Sequence, residues 1–492
     1  MANTKLVEPR LLKGFQDSLP PKSQIKQFIK NKVSQIFENY GFVYVETPAM
    51  EPLDILLGPG GENVDKEIFS FQTPEGENVC LRFDHTVPFA RIIAQYPDII
   101  KLPFKRYTIG SVWRADKPGI GRYREFVQMD IDIAGTDHLS ADAEIISVMV
   151  DTMKVLGFKE FQILINNRKL LDTLLVQQNI TEIEKQKHIL RVIDKLPKVG
   201  MENVIKELGE GRIDESGDPI KGVGLPKDII DKIVSFITIS GNSREEIISN
   251  VEKFFDSYPE AETPIKQMKE LNEYLHALKI PDEIAMYSLS LTRGLDYYSG
   301  PVFEAVLLQA KHVGSVIGGG RYDSLVSRFT EKPVPCTGMS IGLDRLISAM
   351  EQMNLINPQQ YSPYDVIVAR IGNVPIKEAL IVAKELRDAG IRTSIYIGSK
   401  TKTPLKDQLS HADHYNIPIA VILGEDELMR GEVSIKDLYY GEKAREGITN
   451  RDEYRLAGRI SQITVPREKM INEVKSMLKT ILDSSTLPLQ LS

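Results

Sequence analysis

Arg114, Arg122 and Arg124 crowd one short stretch, "RADKPGIGRYR". A guanidinium is a permanently charged fork of donors that suits phosphate and carboxylate oxygens. Cations this close repel one another, so the stretch is either an anion site or a salt-bridged surface loop. The segment that follows, "EFVQMDIDIAG" from Glu125 to Gly135, alternates with period two. Val127, Met129, Ile131 and Ile133 share one face; Phe126, Gln128, Asp130 and Asp132 share the other. The first face is core. The second offers an aromatic ring, an amide and two carboxylates, and taken alone it reads as a solvated sheet face.

Three more segments hold reactive side chains in unexpected places. "LTRGLDYYSGPVFE", Leu291 to Glu304, reads as strand, turn, strand, yet it carries Arg293, Asp296 and two tyrosines. "GMSIGLDRLI", Gly338 to Ile347, leads small residues into a helix with Arg345 near its start. By itself that is a helix with a surface arginine. "VIGGGRYDSLV" matches neither common phosphate-loop spacing and reads as a glycine turn with close backbone packing.

The rest of the composition narrows the chemistry. Cys80 and Cys336 stand far apart, and the seven histidines form no HExxH pair, so neither a disulfide framework nor a protein-held metal is expected. His411 and His414 sit three apart on a predicted helix and read as a solvated face. A net charge of −7 excludes a surface that binds nucleic acid everywhere and leaves room for a local basic patch. No apolar run approaches a membrane span, and the N-terminus lacks a signal-peptide core, so a cytoplasmic protein is expected.

The elements that must position these residues follow from periodicity. Residues 22–40 form an amphipathic helix, and "FVYVET" after it is a strand stopped by Pro48. Short strands then dominate to about residue 135, with the texture of an antiparallel sheet. Charged helical segments fill about 168–279, as in an inserted module. Strand patterning returns near 284 and closes with a helix around Leu343–Met353. After the linker "NPQQYSPYD" (357–365), strands and helices alternate, as in a small α/β domain.

Together these segments closely resemble the signature motifs of class II aminoacyl-tRNA synthetases, within them the histidyl-tRNA synthetase family, over nearly the whole chain. "IFENYGFVYVETPAMEP" resembles motif 1, "FKRYTIGSVWRADKPGIGRYREFVQMDIDIAG" motif 2 and "GMSIGLDRL" motif 3. "RGLDYYSG" and "GGGRYDSL" resemble the two elements peculiar to the histidine-specific members. The resemblance implies an α+β fold: an antiparallel sheet flanked by helices, with a helical insertion and a C-terminal α/β anticodon-binding domain. The implied boundaries are 1–168 and 280–356 for the catalytic core, 169–279 for the insertion and 363–492 for the anticodon-binding domain. It also implies a homodimer joined through motif 1.

The implied reaction activates L-histidine with ATP, accompanied by Mg²⁺, and transfers it to tRNA(His). Arg114 would hold the α-phosphate and the amino-acid carboxylate, and Arg122 and Arg345 the outer phosphates. Phe126 and Arg345 would sandwich the adenine. Asp84, Thr86 and Gln128 would receive the α-amino group. Asp132 and Tyr298 would bond the imidazole nitrogens, with Tyr322 lining the same pocket. Arg293 would face the α-phosphate and the histidine carboxylate, where other class II enzymes use a metal ion, and Asp296 would orient it. Lys400, Lys402, Arg430 and Lys436 are implied phosphate contacts, and the insertion would sit over the tRNA acceptor arm. Two rival readings are a regulatory paralogue that senses histidine and a class II synthetase for another amino acid.

Overall fold

The computed structural model describes residues 6–57, 68–119, 121–214, 217–292, 297–357, 361–398, 404–438 and 461–484. It divides into two compact units, one of residues 1–17 and 29–353 and one of residues 18–28 and 354–492.

The first unit is built on an eight-stranded sheet. Its order from one edge is Val43–Tyr44, Phe104–Trp113, Glu125–Ala134, Cys336–Gly342, Ile317–Tyr322, Pro301–Leu307, Phe161–Asn167 and Ala285–Tyr287. The six inner strands pair antiparallel; each edge strand pairs parallel to its neighbour. Alternation along the strands divides the sheet into a packed face and an open one. Met129, Ile131 and Ile133 are buried, as the period-two pattern requires. The helix Ser140–Val155 covers this face. Its fully buried Asp142 accepts from Thr337 Oγ1 at 2.8 Å and from the Arg321 guanidinium. The opposite face carries Gln128, Asp132, Gly338 and Tyr322. At its far end it is closed by the helix Thr86–Gln95, whose Val87, Phe89, Ala90 and Ile93 share a core with Ala134, Tyr322 and Cys336.

"VIGGGRYDSLV" is a correction to the expected glycine turn: Ile317–Tyr322 is a central strand. Its glycines answer close backbone approach. A Cβ on Gly319 would lie 2.0 Å from the Gly338 carbonyl oxygen on the next strand. "LTRGLDYYSGPVFE" is half as expected, since Pro301–Leu307 is a strand while Leu291 and Thr292 belong to none. Residues 293–296 lie outside the described residues.

Between Phe161–Asn167 and Ala285–Tyr287 the described residues form six α-helices: Arg168–Gln177, Ile183–Asp194, Leu196–Leu208, Lys227–Ile237, Arg244–Phe254 and Glu262–Ala277. The break in the helical pattern holds a small antiparallel hairpin, Gly211–Ile213 with Pro219–Lys221. Fully buried Arg244 ties this region to the sheet. It donates to Asn272 Oδ1 at 2.6 Å, the Ala285 carbonyl at 2.9 Å and the Ile280 carbonyl at 3.0 Å, and it pairs with Asp282 at 2.9 Å.

The second unit holds a five-stranded sheet ordered Thr393–Ile395, Val366–Arg370, Ile419–Leu423, Glu432–Asp437 and Gln462–Pro466. The first three strands are parallel and the last two antiparallel. Val366 and Val368 pack with Val382 and Leu386 on one face, and Ile367 and Ala369 with Ala412 on the other. A strand buried on both faces reads as a continuous apolar run, which is why "VIVA" and "IAVIL" lack alternation.

Candidate active site

A cavity of about 390 Å³ opens on the uncovered face of the first unit's sheet. Strand register orders its walls. Phe126, Gln128 and Asp132 point the same way along one strand, so they are spread over roughly 20 Å at about 3.3 Å per residue. Gly342 pairs with Gln128, which places the helix Leu343–Gln352, and with it Arg345, near the Phe126 end. Tyr322 pairs with Cys336, which pairs with Ala134, placing Tyr322 near the Asp132 end. The result is a basic end and an acidic end on one groove.

At the basic end, Arg114 Nε donates to the Phe83 carbonyl at 3.0 Å, and its guanidinium lies 5.3 Å from the Phe126 ring centre. Arg345 Nη1 donates to the Ser315 carbonyl at 2.9 Å. Arg122 lines the cavity beside Gly121, whose backbone approaches Arg345. Arg124, grouped with these two from the sequence, faces elsewhere. Its Nε donates to the Asp116 carbonyl at 3.2 Å and its Nη1 to the Lys13 carbonyl at 3.4 Å, so it ties the loop to the N-terminal segment.

At the acidic end, Asp84 Oδ1 accepts the Val87 amide at 3.1 Å across the start of the helix Thr86–Gln95. Asp84 Oδ2 and Gln128 Oε1 are buried and meet no hydrogen-bond partner among the described residues. Buried acceptors left unpaired cost free energy, and a cationic donor entering the cavity would relieve both. Asp132 Oδ1 accepts from Tyr322 at 2.5 Å, while Oδ2 meets no hydrogen-bond donor among the described residues and is ion-paired with Arg106, whose Nη2 lies 2.6 Å away. Tyr297 stacks edge-on against Tyr298 and Tyr322, with ring centres 5.0 and 5.7 Å away, forming an aromatic wall.

Burial dominates the electrostatics here. It raises Asp132 to about 6 and Asp130 to about 7, each held back by the positive charge of Arg106. It raises Asp84 as well, against the Val87 amide and Arg114. His85, adjacent in sequence, is pushed down to about 3 by burial and by Arg106 and Arg82, and its Nε2 lies 3.2 Å from the Gly110 carbonyl. It is therefore neutral at physiological pH and turned away from the cavity.

Of the residues expected from the sequence, Asp84, Thr86, Arg114, Arg122, Phe126, Gln128, Asp132, Tyr298, Tyr322 and Arg345 all line this one cavity. Arg293, Asp296, Lys400 and Lys402 lie outside the described residues. Arg430 is paired with Glu432 at 2.8 Å. Sequence reasoning missed Arg106 and Gly338. Arg106 and Asp132 share a face because antiparallel pairing sets them opposite each other, and strand pairing was the missing information. His414 is exposed and His411 packs against Tyr396 and Tyr415. No cluster of metal-ligating side chains occurs among the described residues.

A family model for histidyl-tRNA synthetase matches residues 14–346, and one for an anticodon binding domain matches residues 365–477. The histidine–tRNA ligase of Caulobacter vibrioides is 35% identical over 484 residues, covering 96% of this chain and 97% of the relative. The crystal structure of a histidyl-tRNA synthetase from a Nostoc species superposes with a TM-score of 0.79 at 28% identity, covering 96% of this chain and all of that one. A Bacillus halodurans chain described as an ATP phosphoribosyltransferase regulatory subunit/histidyl-tRNA synthetase shares the fold, with a TM-score of 0.67 at 21% identity over 85% of this chain and 100% of that one.

Proposed function

The chain belongs to the histidyl-tRNA synthetase family, and on that premise we propose that this cavity runs both steps of histidine–tRNA ligation. In the first step the histidine carboxylate attacks the α-phosphorus of ATP. A P–O bond forms, the bond to the β-phosphate oxygen breaks, and pyrophosphate leaves. In the second step the terminal hydroxyl of tRNA attacks the adenylate carbonyl and AMP leaves. The substrate supplies its own nucleophile in the first step, so the protein's task is positioning and offsetting phosphoryl charge.

The arrangement of the cavity suits that task. Asp84, Thr86 and Gln128 take the α-ammonium, and Asp132 and Tyr298 the imidazole nitrogens, beside Tyr322. Arg114 holds the α-phosphate and the substrate carboxylate. Arg122 and Arg345 hold the outer phosphates, which arrive with Mg²⁺, and Phe126 and Arg345 enclose the adenine. Arg293 completes the α-phosphate site. The observation that carries this reading is the pair of buried acceptors, Asp84 Oδ2 and Gln128 Oε1, that meet no partner among the described residues, on a groove whose far end is lined by arginines.

We assign the second unit to the tRNA anticodon, with residues 363–492 as its domain, and 169–279 to the acceptor arm. We infer a homodimer joined through the Val43–Tyr44 edge, where both side chains are about half exposed (50% and 51%). We also infer a cytoplasmic enzyme; no described helix is long and apolar enough to cross a membrane. The regulatory reading has a fold relative in its favour, but here Arg114, Arg122 and Arg345 all line the cavity and a second unit is present. The test is ATP–pyrophosphate exchange with each of the twenty amino acids. Exchange with histidine alone is expected; equal exchange with another amino acid refutes the assignment.

A further inference from the structure

Arg106 is 2% exposed, on the strand Phe104–Trp113. A guanidinium so deeply buried needs an opposing charge and hydrogen-bond acceptors. The antiparallel register sets Arg106 opposite Asp132, so both side chains rise on the same face of the sheet. Nη2 reaches Asp132 Oδ2 at 2.6 Å and donates to the His85 carbonyl at 2.9 Å, and the guanidinium carbon lies 4.6 Å from the Phe89 ring centre. Arg106 itself does not line the cavity; Asp132 does.

From this geometry we infer that Arg106 is a specificity-positioning residue: it keeps Asp132 ionised and turned so that the carboxylate can accept an imidazole N–H. The inference rests on the histidine reading of the cavity. A protonated Asp132 would present a hydroxyl, and its power to select a basic ring would fall. The other groups facing Asp132 cannot supply the missing charge. Asp130 and Asp84 are acids, and Tyr322, Tyr297 and Cys336 are neutral groups whose ionised forms would carry like charge. Burial already lifts the Asp132 carboxyl to about 6 with Arg106 in place. Removing Arg106 takes away the positive charge that holds this carboxyl down, so it rises further, less carboxylate remains at pH 7, and the carboxylate returns as the pH climbs.

The experiment measures histidine and ATP KM values in pyrophosphate exchange, between pH 6.5 and 8.5, for wild type, Arg106→Gln and Arg106→Lys. Arg106→Gln is expected to raise the histidine KM about tenfold or more at pH 7, narrowing toward pH 8.5, with the ATP KM within about twofold of wild type. Arg106→Lys keeps the charge and loses the shared fork, so its histidine KM should rise about threefold with a wild-type pH profile. If Arg106→Gln does not fold, Arg106→Lys decides. A wild-type histidine KM in Arg106→Lys, or in a folded Arg106→Gln at pH 7, overturns the inference. So does an equal, pH-independent loss in both substrates, which marks a merely structural arginine. Absence of histidine-dependent exchange in the wild type overturns the histidine reading, and this inference with it.

Discussion

Asp132 and Gly338 face each other across adjacent antiparallel strands, and a Cβ on Gly338 would lie 2.1 Å from Asp132 Oδ1. The carboxylate thus occupies the space that any other residue at 338 would fill. Gly338→Ala should push Asp132 off its Tyr322 and Arg106 partners. The expected result is a histidine KM raised at least about tenfold, the scale of one disturbed charged hydrogen bond, with a smaller change for ATP. Pyrophosphate exchange titrated in each substrate checks this; an unchanged histidine KM would mean the strand simply shifts.

Asp84 does two jobs on two oxygens. Oδ1 accepts the Val87 amide, and Oδ2 meets no partner among the described residues. Asp84→Asn can keep the first contact and loses the charge. Adenylation kcat/KM should fall by roughly 10- to 100-fold, as for a lost charge-assisted hydrogen bond, with little change in melting temperature. A large melting-temperature loss instead would show that the carboxylate is structural.

Asp130 gives a stability signature in pH. Burial raises its folded-state carboxyl to about 7, against an ordinary value near 4. Between those values the folded state binds more proton than the unfolded chain, so stability falls as pH rises through this window. Asp130→Asn should therefore leave stability near wild type at pH 4 and add on the order of a few kcal/mol at pH 8. Urea melts at both pH values test it. Equal effects at the two pH values would show that Asp130 is ionised throughout.

Arg244 serves as the contrasting case. It is fully buried and joins two helices to the strand Ala285–Tyr287 far from the cavity. Arg244→Ala should cost about 3–5 kcal/mol by removing the guanidinium that faces Asp282 Oδ1 and by leaving the Asn272, Ala285 and Ile280 acceptors without it. Histidine and ATP KM values of the folded fraction should not move. A selective rise in either KM would give Arg244 a role in substrate binding.

Arg293 belongs to the segment whose sequence most resembles the histidine-specific family elements. Arg293→Ala should remain folded and lose roughly 10²-fold in single-turnover adenylation, the scale of one transition-state charge contact. Transfer from preformed histidyl-adenylate should suffer much less, because phosphoryl displacement is already complete. A normal adenylation rate would refute the role.

Much of the site was legible along the chain because its signals are local. Period-two alternation alone put Phe126, Gln128 and Asp132 on one face, and the covalent sequence alone brought Arg114 and Arg122 to the two sides of one loop. The alternation of strand and helix patterns after the linker likewise announced the small α/β domain of the second unit. What the chain could not declare depends on pairing between strands distant in sequence. Arg124 looked equivalent to its two neighbours until backbone carbonyls from Lys13 and Asp116 claimed it. The triple glycine looked like a turn until the next strand's carbonyl filled the space above it. Arg106 looked like an ordinary strand residue until antiparallel register set it against Asp132 and burial left that carboxylate its counter-charge. Side-chain type and spacing are written locally. The charge state and orientation of a buried group come from neighbours brought in by the fold, where low polarity makes each contact decisive.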